Sequence, residues 1–332
     1  MGILVTGAAG FIGSALAQVL LARGEDVIGV DNLNDYYQVS LKQTRRDRLR
    51  TAGGDRFTFY DLDFSDMDRL HERLVRHDID RIVHLGAQAG VRYSIENPHA
   101  YVRANLAGHL NMLELARQRS VRHMVYASSS SVYGGNEKMP FAVGDRVDHP
   151  VSLYAATKRA DELMSETYAH LYRQPLTGLR FFTVYGPWGR PDMAYWMFTD
   201  SILRGETIQV FNGGDMYRDF TYIDDIIAGV VACLDGPPQD NGAEKPGGSV
   251  APHALYNIGN SRSEHLMKVI QIIEEACGRE ASIKMLPMQA GDVHRTYADI
   301  SDIQRDFGYE PSTSIEVGLP KFVDWFREYH GR

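Results

Sequence analysis

Apolar residues fall along this chain in two alternating rhythms. Short apolar runs bounded by turn residues recur at positions 3–6, 26–30, 57–60, 81–85, 123–128 and 176–182. Runs this short, rich in Val, Ile and Phe, read as strands buried on both faces. Between them the apolar spacing lengthens to that of a helix. Ile12, Leu16, Val19 and Leu20 share one face of 11–23, and 100–119 and 152–172 repeat the pattern. The alternation predicts an α/β fold, a doubly wound parallel sheet. From about Pro187 it loosens. Short strands are expected at 208–211, 254–258 and 281–286, among helices at 225–234, 263–277 and 315–329. The expected division is a first domain over 1–186 and a smaller α/β lobe over 187–332, partly interleaved with it. The stretch 236–253 is rich in Gly and Pro and reads as a mobile surface loop.

The first strand runs into TGAAGFIG, Thr6–Gly13. Gly7 permits the tight turn, Gly10 lets the backbone approach a pyrophosphate, and Gly13 lets helix and strand pack closely. The helix that follows offers free N–H groups and a partial positive charge to phosphates. The second strand ends at Asp31, about twenty residues on, where a dinucleotide-binding turn expects a carboxylate for the ribose hydroxyls. Asp31 repels a 2′-phosphate, so NAD is expected over NADP. The first domain is therefore read as a Rossmann-type NAD-binding domain.

Farther along, YAATK places Tyr154 and Lys158 one helical turn apart on the same face. A free phenol titrates near ~10 and is a poor base at neutral pH. A neighbouring ammonium and a positive nicotinamide favour the phenolate, which suits a general base. The spacing alone is common on solvated helices; it gains weight by lying downstream of the glycine turn. The fifth strand ends in a run of serines, Ser128–Ser131, at its carboxyl end, where parallel sheets hold ligands. A hydroxyl there can hold a substrate oxygen.

Composition narrows the class. At 332 residues, with 44% hydrophobic and 23% charged positions, the chain suits one large globular domain plus a lobe. Its net charge of −8 argues against nucleic acid or a membrane surface as partner. Cys233 and Cys277 lie in helical apolar patterns and read as core thiols without a disulfide. No apolar run is long enough to cross a bilayer. The chain opens directly on its first strand, so no signal peptide is expected and a cytoplasmic enzyme is. No metal is expected. Arg45, Arg46, Arg48 and Arg50 form a basic run interrupted by Asp47, which reads as a solvated helix face.

These motifs carry a resemblance. TGAAGFIG and YAATK, with DNLNDYYQVSLKQTR from Asp31, HLGAQAGVRYSIENP from His84, YASSSSVYGGN from Tyr126, RFFTVYGPWGRPDMA from Arg180 and YRDFTYIDD from Tyr217, run along nearly the whole chain. The chain resembles the extended short-chain dehydrogenase/reductase family, and within it the UDP-glucuronate 4-epimerases. The resemblance implies that Phe11 and Ile12 give backbone N–H groups to the pyrophosphate and that Asp31 and Asn32 hold the adenosine ribose. Asp63 and Phe64 match the adenine-contacting pair. Leu85, Gly86, Ala87 and Gln88 would pass beneath the cofactor, and Asn105 matches a helix asparagine of the cofactor site. Gly86 stands where alanine is more common, a loss of bulk expected to be tolerated. Gln209 and Phe211 fall at the uracil, Arg218 at the diphosphate and Asp292 at the uridine ribose. His294 and Arg295 follow where a smaller pair is expected.

The implied chemistry is 4-epimerisation of a UDP-sugar through a 4-keto intermediate. Tyr154 is the base, Lys158 its support on the nicotinamide ribose, and Ser129 a hydrogen-bond partner of the sugar oxygen. A uronate needs its carboxylate held. Ser130, Ser131 and Thr183 are candidate donors, with Arg92 and Arg190 as candidate charge partners. A 4,6-dehydratase would carry an Asp-Glu pair where this chain has Ser130 and Ser131. A UDP-glucuronate decarboxylase, a neutral UDP-hexose 4-epimerase and a non-catalytic NAD sensor remain as alternatives, though sensors tend to lose the Tyr/Lys pair. A homodimer is expected from the apolar positions Tyr101, Leu106, Leu110, Leu113, Leu163 and Met164.

Overall fold

The computed structural model describes residues 1–289 and 291–332. Strands β1 (Gly2–Thr6), β2 (Asp26–Asp31), β3 (Phe57–Asp61), β4 (Ile79–His84), β5 (His123–Ser129) and β6 (Leu176–Phe181) form as the apolar runs predict. They are parallel, in the order β6-β5-β4-β1-β2-β3. In β1, Ile3 and Val5 enter one apolar cluster and Leu4 the other. Both faces are therefore buried, which is why these strands lack a polar alternation. The strand order reverses between β1 and β4, and a crevice opens there at the carboxyl ends.

β7 (Thr183–Tyr185) follows β6 directly. β8 (Thr207–Phe211), β9 (Tyr217–Tyr222), β10 (His253–Ile258), β11 (Ser263–His265) and β12 (Ser282–Leu286) complete the strands described. The run 254–258, expected in the smaller lobe, lies instead as β10 beside β6 and makes a seventh parallel strand of the central sheet. Its apolar residues mark it as a strand; its partner lies 77 positions away and leaves no local trace. β7, β9 and β11 form a three-stranded sheet that the apolar pattern missed. β7 and β11 are very short, and β9 carries Arg218 and Asp219. The helix expected from 263 starts at Leu266, because Ser263–His265 pairs antiparallel with β9.

Two further expectations change. The helical stretch 98–118 is wound as a π-helix over Val102–Ala107, a widening often found at functional sites. The loop after Asp235 is tied down: Ser249 Oγ donates to Glu166 Oε1 at 2.9 Å, and Arg173 pairs with Asp240. Helix α1 (Phe11–Ala22) follows the glycine turn, and α2 (Val39–Gly53) carries the basic run. That run is not a solvated face throughout, since Arg45 is fully buried and Arg48 stacks 4.1 Å from the Trp188 ring centroid. Cys233 and Cys277 are buried free thiols. Among the described residues no helix is long and apolar enough to cross a membrane.

Candidate active site

The glycine turn is built by contacts that tolerate no side chain. Gly7 has φ +68°, and a Cβ there would stand 2.8 Å from Gly86 N. A Cβ on Gly13 would stand 2.1 Å from Gly7 O. Gly10 begins α1 without a side-chain cap, and the first helical turn holds no acidic residue. Its N–H groups and dipole are thus free to receive an anion. Gly7, Gly10, Phe11, Ile12 and Gly13 line one wall of a cleft, followed by Asp31 and Asn32. The buried Asp31 accepts from Ala9 N at 3.1 Å and Leu33 N at 2.9 Å. Burial pushes its carboxyl up from the usual range, against those two bonds and the nearby Lys42 and Arg45. An uncapped helix start with a buried carboxylate one strand away fits the pyrophosphate and ribose of NAD.

Asp63, Phe64 and Leu85–Gln88 line the same cleft. The space left by Gly86 is taken by the Phe64 ring, whose Cε1 would lie 2.5 Å from a Cβ there. Asn105 does not itself line the cleft. It is fully buried behind the cleft, accepts from Gln88 N at 2.8 Å, and donates to Gln88 O and Thr157 Oγ1. It ties the segment Leu85–Gln88 to the helix that bears Tyr154.

That helix is Leu153–Tyr172. Ser152 caps it by accepting from Ala155 N at 3.1 Å, so Tyr154 stands in the first turn and Lys158 one turn on. Both line the cleft with Ser128 and Ser129. Lys158 is buried and donates to Ala127 O at 3.0 Å and Asp161 Oδ2 at 2.9 Å. Burial raises the Asp161 carboxyl to about 6, opposed by Lys158. The helix is bolted to the sheet by Glu162. Its carboxylate accepts from Ser128 Oγ at 2.6 Å and from Arg180 Nε and NH2 at 2.8 and 2.9 Å. Burial works against this carboxylate, yet the Arg180 guanidinium holds it below the usual range. Breaking such a buried pair costs about 3–5 kcal/mol. Ser129 Oγ donates to Ser131 Oγ at 3.1 Å and accepts from Ser131 N.

The remaining predicted residues divide. Arg190 lines the cleft and is gripped by Asp192, Nε to Oδ1 at 3.0 Å and NH2 to Oδ2 at 2.6 Å. Ser130, Ser131 and Thr183 lie beside Ser129 and Phe182, outside the cleft lining. Arg92 does not line the cleft either; its guanidinium sits 5.2 Å from the Phe211 ring centroid. Arg218 and Asp292 form an ion pair at 2.7 Å, and Gln209 is exposed on β8. Arg295 stacks on Tyr217, and His294 meets Asp215 at 3.1 Å, so this larger pair braces β9. Asn34, Tyr36 and Lys42 line the cleft without having been assigned a role from sequence. Lys42 Nζ donates to Asn34 O and Oδ1 at 2.6 and 2.7 Å. The only sequence signal for them is their place in the DNLNDYYQVSLK segment.

Residues 3–259 match the NAD dependent epimerase/dehydratase family. The chain is 50% identical to Protein CapI of Staphylococcus aureus, over 99% of each chain. It is 46% identical to a probable UDP-glucuronate 4-epimerase of Rhizobium meliloti (strain 1021), over 100% of this chain and 98% of that one. Among solved structures it is similar to UDP-glucuronic acid 4-epimerase from Bacillus cereus in complex with UDP-glucuronic acid and NAD. That match has a TM-score of 0.86 and 32% identity, covering 99% and 100% of the two chains.

Proposed function

The chain belongs to the NAD dependent epimerase/dehydratase family, and on that premise we propose that it inverts C4 of UDP-glucuronate to give UDP-galacturonate. The observation that carries the reading is the convergence of Tyr154, Lys158 and Ser129 on the cleft that also holds the glycine turn and Asp31. Inverting a secondary alcohol means breaking a C–H bond with no acidifying neighbour. Bound NAD supplies a reversible hydride acceptor for that carbon. Tyr154 takes the proton of the 4-hydroxyl and returns it once the sugar has turned its other face. Lys158 supports the phenolate, and Ser129 holds the sugar oxygen. The nucleotide end stays anchored meanwhile, and the Arg218–Asp292 pair with Phe211 suits that task. Remote binding energy then keeps the ketone from escaping.

A 4-keto uronate is a β-keto acid. It loses carbon dioxide when the bond to the carboxylate aligns with the carbonyl π system. An epimerase therefore has to hold that bond out of alignment. Ser130, Ser131 and Thr183 are our nominees for the carboxylate, with Arg190 closing on the nucleotide. Arg92, seated on Phe211, fits the nucleotide side better. The test is incubation with UDP-glucuronate and separation of products with mass detection. UDP-galacturonate is expected. Loss of carbon dioxide would favour a decarboxylase, and turnover of UDP-glucose alone a neutral epimerase. Thr183→Val and Ser131→Ala should slow epimerisation and raise the decarboxylated fraction.

We also propose a homodimer. Tyr101 and Leu113 face inward, but Leu110, Leu163 and Val102 are exposed on adjoining helices. A monomer mass by light scattering at micromolar concentration would overturn it. The free thiols suit a cytoplasmic setting.

A further inference from the structure

Among the described residues, Arg45 is a buried cation whose hydrogen-bond acceptors are all neutral oxygens, with the Asp31 carboxylate near but not bonded to it. Its NH1 donates to Ala9 O at 3.1 Å and Tyr37 Oη at 2.8 Å, and its NH2 to Trp188 O at 2.5 Å and Gly189 O at 2.7 Å. Nε is buried without a partner, and among the described residues no carboxylate pairs with the side chain. Burying a charge in this way is costly, by several kcal/mol per ion before compensation. Its acceptors are informative. Ala9 belongs to the glycine turn. Trp188 and Gly189 belong to the loop that delivers Arg190 to the cleft.

That loop needs holding. Gly186 sits at φ +139° and Trp188, a bulky residue, at φ +64°. A non-glycine residue in the left-handed region costs roughly 1–2 kcal/mol. The two carbonyls gripped by Arg45 are those of Trp188 and the residue after it, and Arg48 stacks on the Trp188 ring. α2 thus carries a brace with one arm on the phosphate turn and one on the substrate loop.

We propose that Arg45 is a positioning residue that couples the two ligand sites, so that NAD on the glycine turn tightens binding of the nucleotide sugar. Phosphates bound to the turn fix the Ala9 carbonyl. The guanidinium is then fixed, and the loop bearing Arg190 loses less freedom when the second ligand arrives. The inference rests on the reading of the cleft as an NAD and UDP-sugar site.

The test measures UDP affinity by calorimetry on NAD-loaded and NAD-free protein. NAD should tighten UDP about ten-fold in the wild type, within the ordinary range of coupling between sites. Arg45→Lys keeps the charge, but a compact ammonium does not span acceptors on two loops as a planar fork does. Its coupling ratio should fall to about two or less, with the fold retained by circular dichroism. A purely structural role would weaken UDP equally in both states and leave the ratio unchanged, which overturns the proposal. If Arg45→Lys does not fold, Tyr37→Phe removes one acceptor and should give an intermediate ratio; an unchanged ratio there overturns it as well. A wild-type ratio of one refutes the coupling and leaves the functional reading intact. No UDP binding in either state removes both.

Discussion

Replacing Gly86 with alanine restores the commoner residue of the resemblance, and in this chain it should destabilise. The new methyl would stand 2.5 Å from Phe64 Cε1 and 3.1 Å from Gly7 N. Carbon atoms prefer about 3.5–4.0 Å, so the ring has to move by roughly an ångström. It has no room on its other side, where a Cβ on Gly108 would lie 2.4 Å from Phe64 Cε2, and its edge meets His84 at 5.1 Å between centroids. Overpacking of this kind costs about 1–3 kcal/mol. Alanine returns about 0.4–1 kcal/mol by stiffening the unfolded chain. The expected net loss is about 1–2 kcal/mol.

Phe64→Leu alone should cost about 1–2 kcal/mol through the cavity it leaves. In the double variant the methyl occupies part of that cavity, so the combined loss should fall short of the sum by about 1 kcal/mol. Urea denaturation of the four proteins at one NAD concentration c, with each variant's NAD affinity measured and its RT ln(1 + c/Kd) subtracted, gives the cycle. Both residues line the cleft, so Gly86→Ala should also loosen NAD. Gly86→Ala as stable as the wild type, or strict additivity in the cycle, would refute the reasoning.

Three further outcomes are expected. Tyr154→Phe should lower turnover by about 10²–10⁴-fold while leaving UDP affinity nearly unchanged, and near-normal turnover would point to another base. Asp31→Ala should weaken NAD by at least about ten-fold, since hydrogen bonds to a charged group are worth about 1.5–3 kcal/mol. It should also narrow the gap to NADP, with Lys42 left nearby; a wild type that prefers NADP contradicts the role given to Asp31. His123 is held neutral by burial, its pKa lowered to about 4, with Nδ1 donating to Leu234 O and Nε2 accepting from Thr177 Oγ1. A depressed folded pKa contributes stability that is full above pH 6.5 and lost as the pH falls towards 4. The wild type's advantage over His123→Gln should therefore shrink by about 1.4 kcal/mol per pH unit, reaching about 3 kcal/mol at pH 4, and a constant difference in urea midpoints would rule this out.

What was legible in the sequence was whatever a short stretch of chain determines by itself. Gly7, Gly10 and Gly13 were readable because strand, turn and helix are consecutive. Tyr154 and Lys158 were readable because one helix fixes their spacing. Residues whose meaning comes from across the fold were harder. Nothing in the sequence sets Glu162 apart on its helix, yet it joins Ser128 to Arg180 near the ends of two strands. The resemblance marks Asn105 only as a residue of the cofactor site, and nothing nearby in the chain announces its bonds to the Gln88 peptide and Thr157. The missing methyl at Gly86 looked like lost bulk, because nothing nearby in the chain says that Phe64 fills it. Arg45 is the extreme case. A charged side chain is ordinarily traced through an opposite charge, and in a run that also contained Asp47 a solvated face was the natural reading. Its true acceptors are three backbone carbonyls and a phenol, one carbonyl 143 positions away along the chain. Backbone carbonyls are the same at every residue, so no choice of side chain at 188 or 189 could have announced them. Their mark is conformational and seen only in the structure: Trp188 stands at φ +64°, and the buried guanidinium grips its carbonyl and the next.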